Sequence, residues 1–199
     1  MSALDDEISS LWNMSTWKDF LGDIKSIPSG RLIGSKVIFD IVYNPDGTFK
    51  KFKARIMARG DQLRSFDSNN FARTVKSETM QILLAVVADQ DLDHDSLDVK
   101  TAFLYPPLKS DDRTWLRRPR GLTDAHMPPV VELLKSIYGL PNASQYFEEY
   151  LSVHLLKLGF KRTISDKQLF IYRRPDNCIC YLSTHVDDIF LACTKTFWP

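Results

Sequence analysis

Apolar residues recur with a helical period in two parts of this chain and alternate like strands in several others. In "KSETMQILLAVVADQ", Met80, Leu83, Leu84 and Val87 fall at the i, i+3, i+4, i+7 spacing of a core-facing helix. Ser77 suits its N-cap and Glu78 its first turn. The stripe Tyr146, Phe147, Tyr150, Leu151, His154, Leu155 and Leu158 predicts a second helix from about Asn142 to Leu158. Asn142 with Gln145 resembles a capping box there, Gly159 suits the stop, and His154 on the stripe reads as a core histidine. Alternation in "SKVIFDIVYNPDGTFKKFKARIMARG" predicts a hairpin turning at Asn44-Pro45-Asp46-Gly47, with Pro and Gly where a type I turn takes them. On its second strand Lys51, Lys53, Arg55 and Arg59 lie two or four apart, which predicts one face. "HDSLDVKTAFLY" predicts a strand with Asp98 inside it, and three short strands follow in "KQLFIYRR" and "CICYLSTHVDDIFLAC". Residues 1–30 read as an acidic lead-in. The order hairpin, helix, strand, helix, hairpin is an α+β pattern.

Composition changes this picture little. With 199 residues, 44% hydrophobic and 26% charged, the chain has the make-up of one globular domain, or one with a small added lobe. No run of 18 apolar residues predicts a membrane span, and the acidic N-terminus lacks the apolar core of a signal peptide. Cys178, Cys180 and Cys193 make an odd count, for which reduced thiols in an intracellular protein are the simplest expectation. A net charge of +1 argues against a wholly basic nucleic-acid binder. The charge is unevenly spread, however. Residues 50–76 hold eight Lys or Arg against two Asp, whereas five Asp crowd into "DQDLDHDSLD". A basic lobe and an acidic centre suit a polyanion held over a metal site, and equally two solvated faces.

The sharper question is why Asp187 and Asp188 stand side by side in the apolar run "YLSTHVDDIFLAC". Aspartate is common in tight turns, so an ordinary hairpin tip is one answer. A divalent cation that relieves the repulsion between adjacent carboxylates is the other. Asp98, between Leu97 and Val99, is the third carboxylate such a site needs, because a strand interior is a costly place for an unpaired charge.

Five ordered blocks decide between these answers. "KFKARIMARGDQ", "VKSETMQILLAVVADQDLDHDSLDVKTAFL", "LLKSIYGLPNASQYFEEYL", "LGFKRTISDKQLFIY" and "STHVDDIFLA" together resemble the reverse transcriptase of copia-type LTR retrotransposons over roughly residues 31–194. The resemblance implies a right-hand polymerase, with fingers over about 31–76 and palm over about 77–199. It implies two-metal nucleotidyl transfer with Mg²⁺, or Mn²⁺ in its place, on Asp98, Asp187 and Asp188, and with the carbonyl of Val99 facing a metal. Phe103 matches the steric gate against a ribose 2′-hydroxyl. Lys53, Arg55 and Arg59 match the basic fingers strand near template and triphosphate. Tyr138, Gly139 and Leu140 match the block under the nascent base pair, and His185 falls beside the template–primer. The implied partners are an RNA or DNA template–primer, deoxynucleoside triphosphates and the rest of a Pol polyprotein, with no membrane. The implied location is the cytoplasm, in a virus-like particle, and the nucleus for an active element.

Three departures bear on these expectations. His185 stands where the family has Tyr or Phe, and Pro141-Asn142 where it has Lys-Gln. The sequence ends at Trp198-Pro199, before the family's primer grip, thumb, connection and RNase H. The expectation is that the isolated chain does not extend a primer processively. An inactive transposon remnant with weak nucleic-acid binding is the alternative. A metal-dependent nuclease or phosphatase on the same three Asp is weaker, since no general base or His cluster accompanies them.

Overall fold

The computed structural model describes residues 2–63 and 73–197. Arg64 and Asp67 of the basic stretch, and Trp198-Pro199, lie outside the described residues. The chain begins with helix α1 (Ala3–Asn13), strands β1 (Trp17–Asp19) and β2 (Leu32–Ile33), and the pair β3 (Ser35–Tyr43) and β4 (Phe49–Ala58). Helix α2 (Ser77–Asp89) and β5 (Asp93–Asp98) follow, then β6 (Trp115–Arg117) and β7 (Val130–Leu133). Helix α3 (Ala143–Lys157), β8 (Lys161–Arg162), β9 (Leu169–Arg173), β10 (Ile179–His185) and β11 (Asp188–Cys193) complete a mixed α and β architecture. The described residues fall into two compact units, one within 1–70 and 103–146, the other within 71–102 and 147–199.

The first unit holds a four-stranded sheet in the order β1-β7-β6-β2 and the separate β3–β4 hairpin. The hairpin turns where the sequence predicts, with the Gly47 N–H donating to the Asn44 carbonyl at 2.9 Å and Gly47 at φ 83°. Residues 1–30 carry structure of their own. Ser2 and Asp5 form a capping box on α1, and Ile8, Leu11 and Trp17 are buried in one core with Ile33, Ile56, Leu116 and Val131. Asp6 of α1 is exposed, whereas Glu7 accepts from the Ile56 N–H at 3.1 Å. The few apolar residues of this helix are too short a series to stand out as a stripe in the sequence.

The second unit is a five-stranded sheet in the order β5-β11-β10-β9-β8. Leu83 and Val87 of α2 pack on Ala192, with Tyr181 and Phe190 beside them. Leu155 of α3 packs on Phe170, Leu182 and Ile189. Several local expectations are corrected here. Lys76, not Ser77, is the N-cap of α2, and it makes no side-chain cap bond. Leu84 is exposed, so the buried stripe of α2 is narrower than its periodicity suggests. Among the described residues Asn142 Oδ1 has no hydrogen-bond partner, so that side chain does not cap α3. His154 is exposed and lies against the Tyr150 ring, 4.2 Å between centroids, rather than in a core. Cys180 and Cys193, opposite each other across β10 and β11, are joined as a disulfide with 4.1 Å between their Cα atoms. The expected free thiols reduce to Cys178, because cross-strand register is invisible in cysteine spacing.

The start of α2 is anchored by a buried carboxylate. Asp166 accepts from the backbone N–H groups of Lys76 and Gln168, both at 2.9 Å. Burial pushes its carboxyl up, but those two N–H bonds, the Thr79 side chain and the nearby Lys76 charge outweigh burial and hold it below the usual range. A depressed carboxyl contributes stability above its unfolded value, lost as pH falls through the folded value. The urea midpoint is therefore expected to fall below about pH 4, and Asp166→Asn to flatten that part of the profile. An unaltered profile in the variant would assign the acid sensitivity to other carboxyls.

Candidate active site

Strands β10 and β11 pair antiparallel in a register that sets His185 opposite Asp188 and leaves Val186-Asp187 as a two-residue turn. Val186 holds φ at 58°, a left-handed conformation that a β-branched residue rarely adopts. Such strain, on the order of 1–3 kcal/mol, persists only where the surroundings fix it, and it clusters at functional sites. The sequence prediction of a hairpin tip at "VDD" is met, with Asp187 in the turn and Asp188 opening β11.

Strand β11 also pairs antiparallel with β5, and Asp188 lies directly opposite Asp98. The Val99 N–H donates to the Asp187 carbonyl at 2.9 Å, which closes this end of the sheet. Asp98 is the last residue of β5 and is exposed, not interior to a strand, so hydration spares it the expected burial cost. The Val99 carbonyl accepts from the Ala102 N–H at 3.2 Å, while the Val99 side chain packs beside Leu182 and Ile189. The backbone thus brings three carboxylates to one strand end although Asp98 and Asp187 lie 89 positions apart in the sequence. Among the described residues no group of three or more His, Cys, Asp or Glu side chains is close enough to hold a metal ion. The donor chemistry fits a hard divalent cation, since carboxylate oxygens are its preferred ligands.

The remaining predicted residues belong to the first unit. Lys51, Lys53 and Arg55 of β4 lie opposite Val42, Asp40 and Ile38 and share one face, as predicted. Arg55 pairs with Asp40 at 2.8 Å. Arg59 lies one residue past the end of β4 and pairs with Asp61 at 2.8 Å, so the shared-face expectation does not reach it. Phe103 is half-buried, packed on the main core, and meets Tyr138 edge-on at 5.4 Å between centroids.

Tyr138-Gly139-Leu140 closes against the end of β4 in a way the sequence did not announce. The Ala58 N–H donates to the Tyr138 carbonyl at 2.7 Å. Gly139 has φ 87°, and a Cβ there would overlap the Ala58 carbonyl oxygen. A Cβ on Gly60 would overlap the Gly139 carbonyl oxygen and lie 2.6 Å from Pro141 Cδ. Two glycines far apart in sequence thus let "ARG" and "YGL" touch backbone to backbone. Their shared lack of a side chain was the only available signal.

Residues 22–197 match the family of reverse transcriptases, RNA-dependent DNA polymerases. The chain belongs to that family, on its copia-type retrotransposon branch. It is 35% identical over 172 residues to the retrovirus-related Pol polyprotein from transposon RE2 of Arabidopsis thaliana, covering 85% of this chain and 12% of that protein. The corresponding polyprotein from transposon RE1 of the same plant is 32% identical over 196 residues, covering 96% and 13%. This chain therefore spans about an eighth of the length of these relatives. Among solved structures, a foamy viral protease–reverse transcriptase in complex with double-stranded DNA matches with a TM-score of 0.42 and 11% identity, over 95% of this chain and 25% of that one.

Proposed function

We propose that this chain supplies the fingers (31–76) and palm (77–199) of an RNA-directed DNA polymerase and carries out two-metal nucleotidyl transfer at Asp98, Asp187 and Asp188. The observation that carries this is the strand register. Asp98 and Asp188 are direct partners, and Asp187 is bonded through its carbonyl to the residue after Asp98. A pair of carboxylates with no cation would repel across a ladder, and like charges directly opposite are destabilising.

Asp98, Asp187 and Asp188, with the Val99 carbonyl, would hold Mg²⁺ or Mn²⁺, which supplies Lewis-acid chemistry to a primer 3′-hydroxyl and to the triphosphate charge. The chain's own work is placement. The strained turn at Val186 fixes the direction of Asp187, and the ladder fixes Asp188 against Asp98. Lys53 and Arg55 present positive charge to template and triphosphate, and their shared strand face supports this. Phe103 acts as the gate that rejects a 2′-hydroxyl, with Tyr138 buttressing its ring. Tyr138, Gly139, Leu140 and His185 face the template–primer, with deoxynucleoside triphosphates as the second substrate. The rest of a Pol polyprotein is the partner implied by the relatives.

Titrating Mn²⁺ against the protein tests the site without needing turnover. Paramagnetic broadening is expected for resonances of residues around the 186–188 turn and is expected to vanish in Asp187→Asn and Asp98→Asn. Equal broadening in parent and variants would overturn the metal assignment. Incorporation of a single deoxynucleotide on a homopolymer RNA template, lost in Asp187→Asn, is the matching result for the reaction.

A further inference from the structure

The β3–β4 hairpin of the first unit has two unlike faces. Strand alternation and register put Asp40, Val42, Lys51, Lys53 and Arg55 on one of them. The other carries Phe39, Ile41 and Tyr43 of β3 with Phe49 and Phe52 of β4. Val37 and Ile56 form the base of this second face, where Ile56 is buried in the main core and Val37 packs against that core. Beyond the base the face runs on into solvent. Phe39, Ile41, Tyr43, Phe49 and Phe52 are each more than half exposed.

A bulge keeps the apolar face continuous. Tyr43 lies opposite Phe49 and Val42 opposite Lys51, so Lys50 is an extra residue in β4. Phe49 and Phe52, three positions apart, thereby reach the same face, with 5.0 Å between their ring centroids. None of the five exposed residues is charged, whereas Asp40, Lys51, Lys53 and Arg55 crowd the reverse face. A two-stranded ribbon is marginal in water unless its apolar face is packed, and a contiguous exposed apolar patch of this kind marks a contact surface.

We propose that two copies of this chain associate through this face, hairpin against hairpin about a twofold axis. An uncharged apolar patch is complementary to itself, which is what an isologous twofold contact requires. Depletion of charge is also what marks the core of an interface, and homodimer contacts are the more apolar ones. At about half exposure, four aromatic rings and an isoleucine present roughly 100 Å² each, so two copies would bury roughly 1,000 Å² from these side chains alone. That reaches the size at which a specific interface begins. Packing in this way turns Lys51, Lys53 and Arg55 of both copies outward, so no cation is buried in the contact. The inference rests on the hairpin and is independent of the polymerase reading.

Sedimentation equilibrium over a concentration series tests this. The parent chain is expected to pass from monomer to dimer in the micromolar range and to stop there, as a small interface allows. Phe52→Asp brings like charges into the contact from both copies and is expected to weaken it by about a hundredfold or more. Phe52→Lys is expected to do the same. Mixed in equal amounts at low salt, the two variants are expected to recover a dimer that neither forms alone, a recovery that a folding defect would not show. Val153→Asp, at an exposed apolar residue of α3 in the second unit, is expected to leave the association unchanged. Amide exchange in the parent is expected to slow at residues 39–43 and 49–52 as concentration rises. A parent that stays monomeric at every concentration would overturn the proposal and assign the face to another part of a longer polyprotein. Open-ended association with no dimer plateau, or a dimer that survives in Phe52→Asp, would overturn it too. Mn²⁺ broadening should persist in monomeric Phe52→Asp, and the dimer should persist in Asp187→Asn. The failure of this contact and the failure of the metal site are therefore separate results.

Discussion

Gly139→Ala is expected to lower the stability of the chain by about 3–5 kcal/mol, at the upper end of what a single substitution costs. Two effects combine. Gly139 sits at φ 87°, where an L-residue with a Cβ pays roughly 1–2 kcal/mol. The added carbon would also overlap the Ala58 carbonyl oxygen and lie 3.2 Å from the Ala58 carbonyl carbon and amide nitrogen. All three are backbone atoms, so no side chain can swing aside. Relief means breaking the 2.7 Å bond from the Ala58 N–H to the Tyr138 carbonyl. Gly47 supplies the control, because it has φ 83° and nothing within 4 Å of the place a methyl group would take. Gly47→Ala is expected to cost only the conformational part, about 1–2 kcal/mol. Urea unfolding of the two variants side by side isolates the clash. Equal midpoints would show that the backbone-to-backbone contact between "ARG" and "YGL" contributes nothing beyond dihedral strain.

That contact also marks the limit of what the chain discloses before it is folded. Local signals were legible: the turn at Asn44–Gly47, the helices at 77–89 and 143–157, and the tip at Val186-Asp187 are each set by neighbouring residues. The three carboxylates were legible as residues, and the ordered blocks supplied the family. Their juxtaposition was not legible, because the Asp98–Asp188 pairing is a matter of strand register. Register likewise hid the Cys180–Cys193 bridge. The basic face was legible for Lys51, Lys53 and Arg55, which obey strand alternation, and illegible at Arg59, where the strand has ended.

Gln168 is the residue whose weight the sequence concealed most, and Gln168→Leu is expected to cost about 2–4 kcal/mol, of which about 1–3 comes from the buried Thr184 hydroxyl left without a partner and about 1 from the lost hydrogen bond to Glu148. The side chain is 2% exposed and fully engaged. Its Nε2 donates to Glu148 Oε1 at 2.7 Å, and its Oε1 accepts from Thr184 Oγ1 at 2.6 Å. Leucine fills nearly the same space but neither donates nor accepts, so the Thr184 hydroxyl is orphaned in a dry site. Glu148 fares better, keeping the Arg73 N–H at 3.0 Å and the Arg162 guanidinium at 3.9 Å. Thr184→Val should therefore soften the loss, because removing the orphaned hydroxyl removes most of its desolvation cost. The double variant is expected to be less destabilised than the sum of the two single variants, a positive coupling of the kind shared networks show. Simple additivity would mean that the two side chains act independently and share no network. The consequence reaches the candidate site. Thr184 immediately precedes His185 on β10, and its carbonyl accepts from the Val75 N–H at 3.2 Å. Loosening Thr184 frees the strand that sets the direction of the 186–188 turn. In Gln168→Leu, Mn²⁺ broadening at Asp187 and Asp188 is therefore expected to weaken even under conditions where the protein stays folded, because the carboxylates are no longer held in one register.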